Sequence, residues 1–175
     1  VRVPRDNLVG VVNKGWPIAK RLLQHERNMV AGMGTASAPK NPEHAIENQA
    51  KKYTGEVQGK IANSNLRNKI TRHKMNSKAF SLTLRRSALE AKTSAAPSPA
   101  SSMFKYYGTE LNKGRFEVMM DMLGSNGLGW DGDGFQEKEL STTRGWLRSK
   151  ANSIEGGTSE IQLNIIAKRV LELPD

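Results

Sequence analysis

The sequence contains no cysteine. That excludes disulfides, thiolate metal sites and a cysteine nucleophile, and it agrees with a reducing compartment, for which the cytoplasm is the default expectation. No apolar run approaches the roughly 20 residues that cross a bilayer, so no membrane association is expected. The opening Val1-Arg2-Val3-Pro4 is neither an initiator nor a signal peptide, and the start reads as mid-protein. Aromatic residues make up only 6% of the chain, and none is interleaved with a dense basic run. The net charge of +10 therefore reads as a solvated helical surface and not as a nucleic-acid platform. His25, His44 and His73 have no ligand spacing with one another or with carboxylates, so no metal site is expected. Asp131-Gly132-Asp133-Gly134 lacks the closing Glu of a calcium loop and reads as a polar turn.

The 175 residues suffice for one compact domain. Residues 1–14, with alternating valines broken by Pro4, Asn7 and Gly10, read as an extended lead-in. Apolar positions near a 3.6-residue period predict a first helix over 15–30, with Pro17 in its first turn. After a loop marked by Gly32, Gly34, Pro39 and Pro42, a short polar helix over 43–53 follows. A long helix over 59–92 carries the stripe Leu66, Ile70, His73, Ser77, Phe80, Leu84 and Ala88. The low-complexity stretch 93–102 joins it to an antiparallel helix striped by Met103, Phe104, Tyr107, Leu111, Val118 and Met122. A helix over 136–150 and a last one over 159–173, capped by Ser159 and stopped by Pro174, complete the reading. Only residues 1–14 suggest strand. The expected fold is all-α: an up-and-down bundle of four main helices with short extra helices, after a short extended segment.

By itself, Gly156-Gly157-Thr158-Ser159-Glu160-Ile161-Gln162-Leu163-Asn164-Ile165-Ile166-Ala167-Lys168-Arg169 is a glycine turn opening an amphipathic helix. The whole string resembles the terminal signature of acyl-CoA dehydrogenases, and Leu123-Gly124-Ser125-Asn126-Gly127 resembles that family's Gly-Gly-Asn-Gly turn. Val1 to Trp16 is similar to its strand-to-helix junction. The resemblance covers essentially the whole chain and implies a fragment, in which 1–14 ends a preceding β-domain or linker and 15–175 is the C-terminal helical domain.

It further implies FAD as cofactor, an acyl-CoA thioester as substrate in fatty acid degradation, and electron-transferring flavoprotein as electron acceptor. A homo-dimer or tetramer through the bundle is also implied. Flavin would accept the β-hydride, because no side chain does so. A carboxylate would take the α-proton. The family's usual base position lines up with Gly156, which has no side chain. A minority subclass places the base in a Glu-Arg pair on the first helix, here Glu26-Arg27, so Glu26 is the expected base with Arg27 beside it, and Glu155 is the rival. Gly156 is expected to donate its backbone N–H to the thioester carbonyl. Thr158, Glu160, Gly124, Ser125 and Gly127 fall at cofactor-contacting positions. Asp121 stands where a Gln is usual, and Gly55-Glu56-Val57-Gln58-Gly59 replaces the family's Arg-x-x-Phe-Gly flavin clamp. The alternative is a non-catalytic subunit or structural partner in a dehydrogenase heteromer.

Overall fold

The structure, a computed structural model, describes residues 1–31, 45–90 and 100–174. Its helices are α1 (Gly15–Ala31), α2 (Ile46–Thr54), α3 (Ser64–Glu90), α4 (Ala100–Leu123), α5 (Glu137–Ser149) and α6 (Ser159–Arg169). A small antiparallel hairpin, β1 (Glu56–Val57) and β2 (Lys60–Ile61), lies between α2 and α3. The fold is the expected all-α bundle, and α4 is its centre: α1, α2, α3, α5 and α6 all pack on it. The Gly/Pro-marked loop over 32–42, His44 and most of the Ser/Pro-rich connection before α4 lie outside the described residues. No described helix is long and apolar enough to cross a membrane.

α3 and α4 run antiparallel, as the pairs Lys69–Asp121 and Phe80–Tyr107 at opposite ends require. Their contact has two apolar clusters. One gathers Ala50, Ile61, Leu66, Ile70, Val118, Met122 and Leu123, and the other Phe80, Phe104 and Leu111. Phe80 meets Phe104 and Tyr107 edge-on, with centroids 6.1 and 5.6 Å away, the arrangement that the ring quadrupole favours. The stripe expected on α3 holds at Leu66, Ile70 and Phe80, while Ala88 is exposed. On α4 the stripe reading was too narrow. Met103 and Tyr107 sit at an exposed edge, and Ser102, Lys105 and Thr109 are buried, because neighbours surround this helix.

The expectation that strand occurs only in 1–14 is overturned by the hairpin. Gln58 and Gly59, with φ of +50° and +75°, form the left-handed two-residue turn that matches strand twist. α3 therefore starts at Ser64, where the Asn63 side chain accepts the Leu66 N–H at 3.0 Å. The lead-in 1–14 is exposed throughout and contains one 3-10 turn at Arg5–Asn7. α5 opens with a capping box in which the Glu139 carboxylate accepts the Gln136 N–H at 2.8 Å. The same carboxylate accepts the Tyr53 hydroxyl at 2.9 Å, tying α5 to α2. Burial, with Glu139 beside it, pushes the Tyr53 phenol up to about 12. α6 ends at Arg169, well before Pro174: Glu172 turns left-handed at φ +52°, and the Leu171 and Leu173 N–H groups close back on Ile166 and Ala167.

Candidate active site

The 3-10 turn Lys150–Ser153 leads from α5 into Gly156 and Gly157, which take φ of +66° and +91°. Two successive left-handed residues call for glycine. A side chain at 157 would be strained, since a Cβ there would lie 2.6 Å from the Gln162 amide nitrogen, which would have to shift. Gln162, fully buried, donates that nitrogen to the Gly156 carbonyl at 3.1 Å. The N-cap is Thr158, whose hydroxyl accepts the Ile161 N–H at 3.3 Å. This corrects the expectation for Ser159, which is already the first residue of the helix. Its hydroxyl is buried without a hydrogen-bond partner. Glu160 is exposed in the first turn.

Glu155, next to Gly156, is held from two sides. Arg148 donates to one carboxylate oxygen at 2.8 Å, and the Asn152 amide donates to the other. Asn152 is itself buried and accepts the Asn112 amide of α4 at 2.9 Å, while Lys113 reaches the Ser153 hydroxyl at 3.3 Å. The Arg148 hydrogen bond, with Asn152 adding to it, holds the Glu155 carboxyl below its usual value. A carboxylate with lowered proton affinity and both oxygens already engaged is a poor acceptor for the proton of a weak carbon acid.

Glu26 lies on α1, half-buried, and α1 packs on α4 as α6 does. Arg27 follows it on the helix, and its side chain lies outside the described residues. His25 is exposed.

Gly124, Ser125 and Gly127 belong to a 3-10 segment, Gly124–Leu128, that continues from α4. Gly124 is exposed and left-handed at φ +55°, with open space where a Cβ would point. Ser125 is exposed. Gly127 is buried, and its carbonyl accepts the Thr143 hydroxyl at 3.0 Å. Asp121 is ion-paired to Lys69 at 2.6 Å, so its charge is partly compensated. Asn152, four residues before Gly156, is held by Asn112 of α4, which lies twelve residues before Gly124, about 18 Å along the helix.

At the clamp position, Glu56 and Gln58 are exposed on the hairpin, and Glu56 pairs with Lys51 at 3.0 Å. No Arg or Phe stands there. Among the described residues no three His, Asp or Glu side chains gather as metal ligands. The sequence reading missed Lys105, Gln162 and the Asn112–Asn152 pair, because polar residues buried between helices leave no mark in hydrophobic periodicity.

A family model for the C-terminal domain of acyl-CoA dehydrogenases matches residues 13–171. The chain belongs to that family. Acyl-CoA dehydrogenase FadE34 of Mycobacterium tuberculosis is 29% identical over 174 residues, which are 99% of this chain and 22% of that protein. The ChsE4-ChsE5 complex of the same organism superposes with a TM-score of 0.66 at 25% identity, covering 99% of this chain and 44% of that one. The Tcur3481-Tcur3483 steroid ACAD shares the fold at a TM-score of 0.75 and 21% identity, over 100% of this chain and 44% of its own. This acyl-CoA dehydrogenase domain thus spans less than half the length of each of these relatives.

Proposed function

We propose that this domain completes an acyl-CoA dehydrogenase in which Glu26 removes the α-proton of a bound acyl-CoA thioester. In this reading residues 1–14, whose Val1, Val3, Val9 and Val11 are all exposed, end a preceding β-domain, and 15–175 form the C-terminal bundle. The carrying observation is that Glu155 has both carboxylate oxygens engaged and its proton affinity lowered, while the turn demands glycine at 156 and 157. The remaining carboxylate at a family base position is the half-buried Glu26. The Gly156 N–H would donate to the thioester carbonyl as negative charge develops there.

FAD is proposed to bind at the start of α6, where the positive end of the helix suits a phosphate. Thr158 and Glu160 flank that point. Gly124, Ser125 and Gly127 suit the cofactor of an adjoining subunit, which accords with a homo-dimer or tetramer. When bound, FAD supplies the hydride acceptor. Electron-transferring flavoprotein is the proposed electron acceptor. The test is turnover of the full-length protein with Glu26→Gln and with Glu155→Gln. Loss of about a thousandfold in the first with retention in the second is expected. Undiminished turnover in Glu26→Gln refutes the assignment.

A second reading is favoured by the hairpin, which has Gly55 and Gln58 where the clamp's Arg and Phe belong. It makes the chain part of a non-catalytic subunit in a dehydrogenase heteromer. Purification of the full-length protein distinguishes the two: a yellow, flavin-loaded homo-oligomer excludes the second, and a colourless protein that gains flavin only with another subunit excludes the first.

A further inference from the structure

A directed chain of polar side chains runs from α4 to the glycine turn. The Arg115 guanidinium donates to the Asn112 carboxamide oxygen at 3.4 Å, the Asn112 nitrogen donates to the Asn152 oxygen at 2.9 Å, and the Asn152 nitrogen donates to Glu155. Each end has a single role, since a guanidinium only donates and a carboxylate only accepts. Both amides between them must therefore turn oxygen towards Arg115 and nitrogen towards Glu155, and neither can flip without breaking the chain. Among the described residues Asn112 supplies the one oxygen that Arg115 meets, and the guanidinium Nε is enclosed without a partner. Asn152 is 4% exposed. Apolar side chains of the same size would join this segment to α4 without burying amides, but they would not specify one orientation. Arg115 and Asn112 both stand on α4, the helix on which every other helix packs, so the chain starts from a fixed support.

We propose that Asn112 is a positioning residue: acting through Asn152, it fixes the Glu155 carboxylate and with it the entry to the Gly156-Gly157 turn. Arg148 holds the other Glu155 oxygen from the exposed side, and Lys113 reaches Ser153; neither contact orients Asn152. In the dehydrogenase reading above, this turn presents the Gly156 N–H to the thioester carbonyl. The expected effect on turnover rests on that reading, whereas the fixing of the turn does not.

The experiment is amide hydrogen exchange on the full-length protein, wild type against Asn112→Asp, with kinetics alongside. The substitution keeps the shape and removes the donor. Either two oxygens then face each other, or Asn152 turns its nitrogen away from Glu155, and the link is lost both ways. Exchange about tenfold faster at 153–158 and unchanged in α3 is expected, with kcat lower by about tenfold at constant acyl-CoA KM. Combined with Asn152→Ala, exchange should be no faster than in the worse single variant, because both break one chain. Combined with Arg148→Met, the tenfold factor should persist, because Arg148 acts on the other oxygen. Wild-type exchange at 153–158 in Asn112→Asp, equal loosening of every helix, or loss of the factor in the Arg148→Met background overturns the proposal. If Asn112→Asp does not fold, the wild type decides by nuclear magnetic resonance of its asparagine side chains. Carboxamide protons of Asn112 and Asn152 that exchange at least about tenfold more slowly than those of exposed Asn76 uphold the chain, and equal rates overturn it. A wild-type protein without dehydrogenase activity refutes the functional reading, and the exchange pattern still decides the positioning.

Discussion

The side of α4 that meets α3 is packed with Phe104, Leu111, Val118 and Met122, whereas the side that meets the 150–162 segment carries Asn112 and Lys113, which bond Asn152 and Ser153. Apolar packing on the first side is non-directional, and its contribution grows with the area removed from water. On the second side, directional hydrogen bonds hold Asn152 and Ser153, which lead into a glycine turn of defined shape. One helix thus carries the stability of the bundle on one face and the placement of the turn on another.

Substitutions on each face break this comparison differently. Phe80→Ala removes the ring that joins α3 to Phe104 and Tyr107 and should cost about 3–5 kcal/mol in denaturant unfolding. Below the melting transition its turnover should stay near wild type. Gly157→Ala attacks the other face: a left-handed backbone and a Cβ 2.6 Å from Gln162 should cost about 2–3 kcal/mol. Here turnover should fall as well, measured at a temperature where the variant is folded. If Gly157→Ala lost stability alone, the division between the faces would fail.

Tyr53→Phe deletes the hydroxyl donated to Glu139 and should cost about 1.5 kcal/mol at neutral pH without touching kinetics. The smallest effect concerns His73, on the α3 side of α4. Burial, with Arg115 adding to it, lowers its pKa below the usual 6.5. The unfolded chain therefore takes up this proton first as pH falls. Stability is complete above 6.5 and declines below it until the folded imidazole also protonates. His73→Gln should flatten that part of the stability profile, as chemical denaturation at successive pH values would register.

The long helices were legible in the sequence because Leu66, Ile70 and Phe80 recur with helical period against one partner. The α4 stripe was misread at Met103 and Tyr107 because a helix enclosed by five neighbours has no single apolar face. The hairpin was missed because two-residue strands are too short to alternate, and its turn uses Gln58 where Asn or Gly is the usual signal. Thr158 and Ser159 are both good N-caps, and only the backbone angles decide between them. The turn's glycines and Glu155 were found by family resemblance. The hydrogen bonds that hold Glu155, and with them the reason for setting it aside as a base, come from residues distant in the chain.

The central claim is that the α-proton leaves through Glu26. Exchange of the acyl-CoA α-proton into deuterated solvent, followed by mass spectrometry with the full-length protein, reads that step alone. Exchange in wild type and Glu155→Gln but none in Glu26→Gln is the predicted result. Exchange that persists in Glu26→Gln and disappears in Glu155→Gln would contradict it.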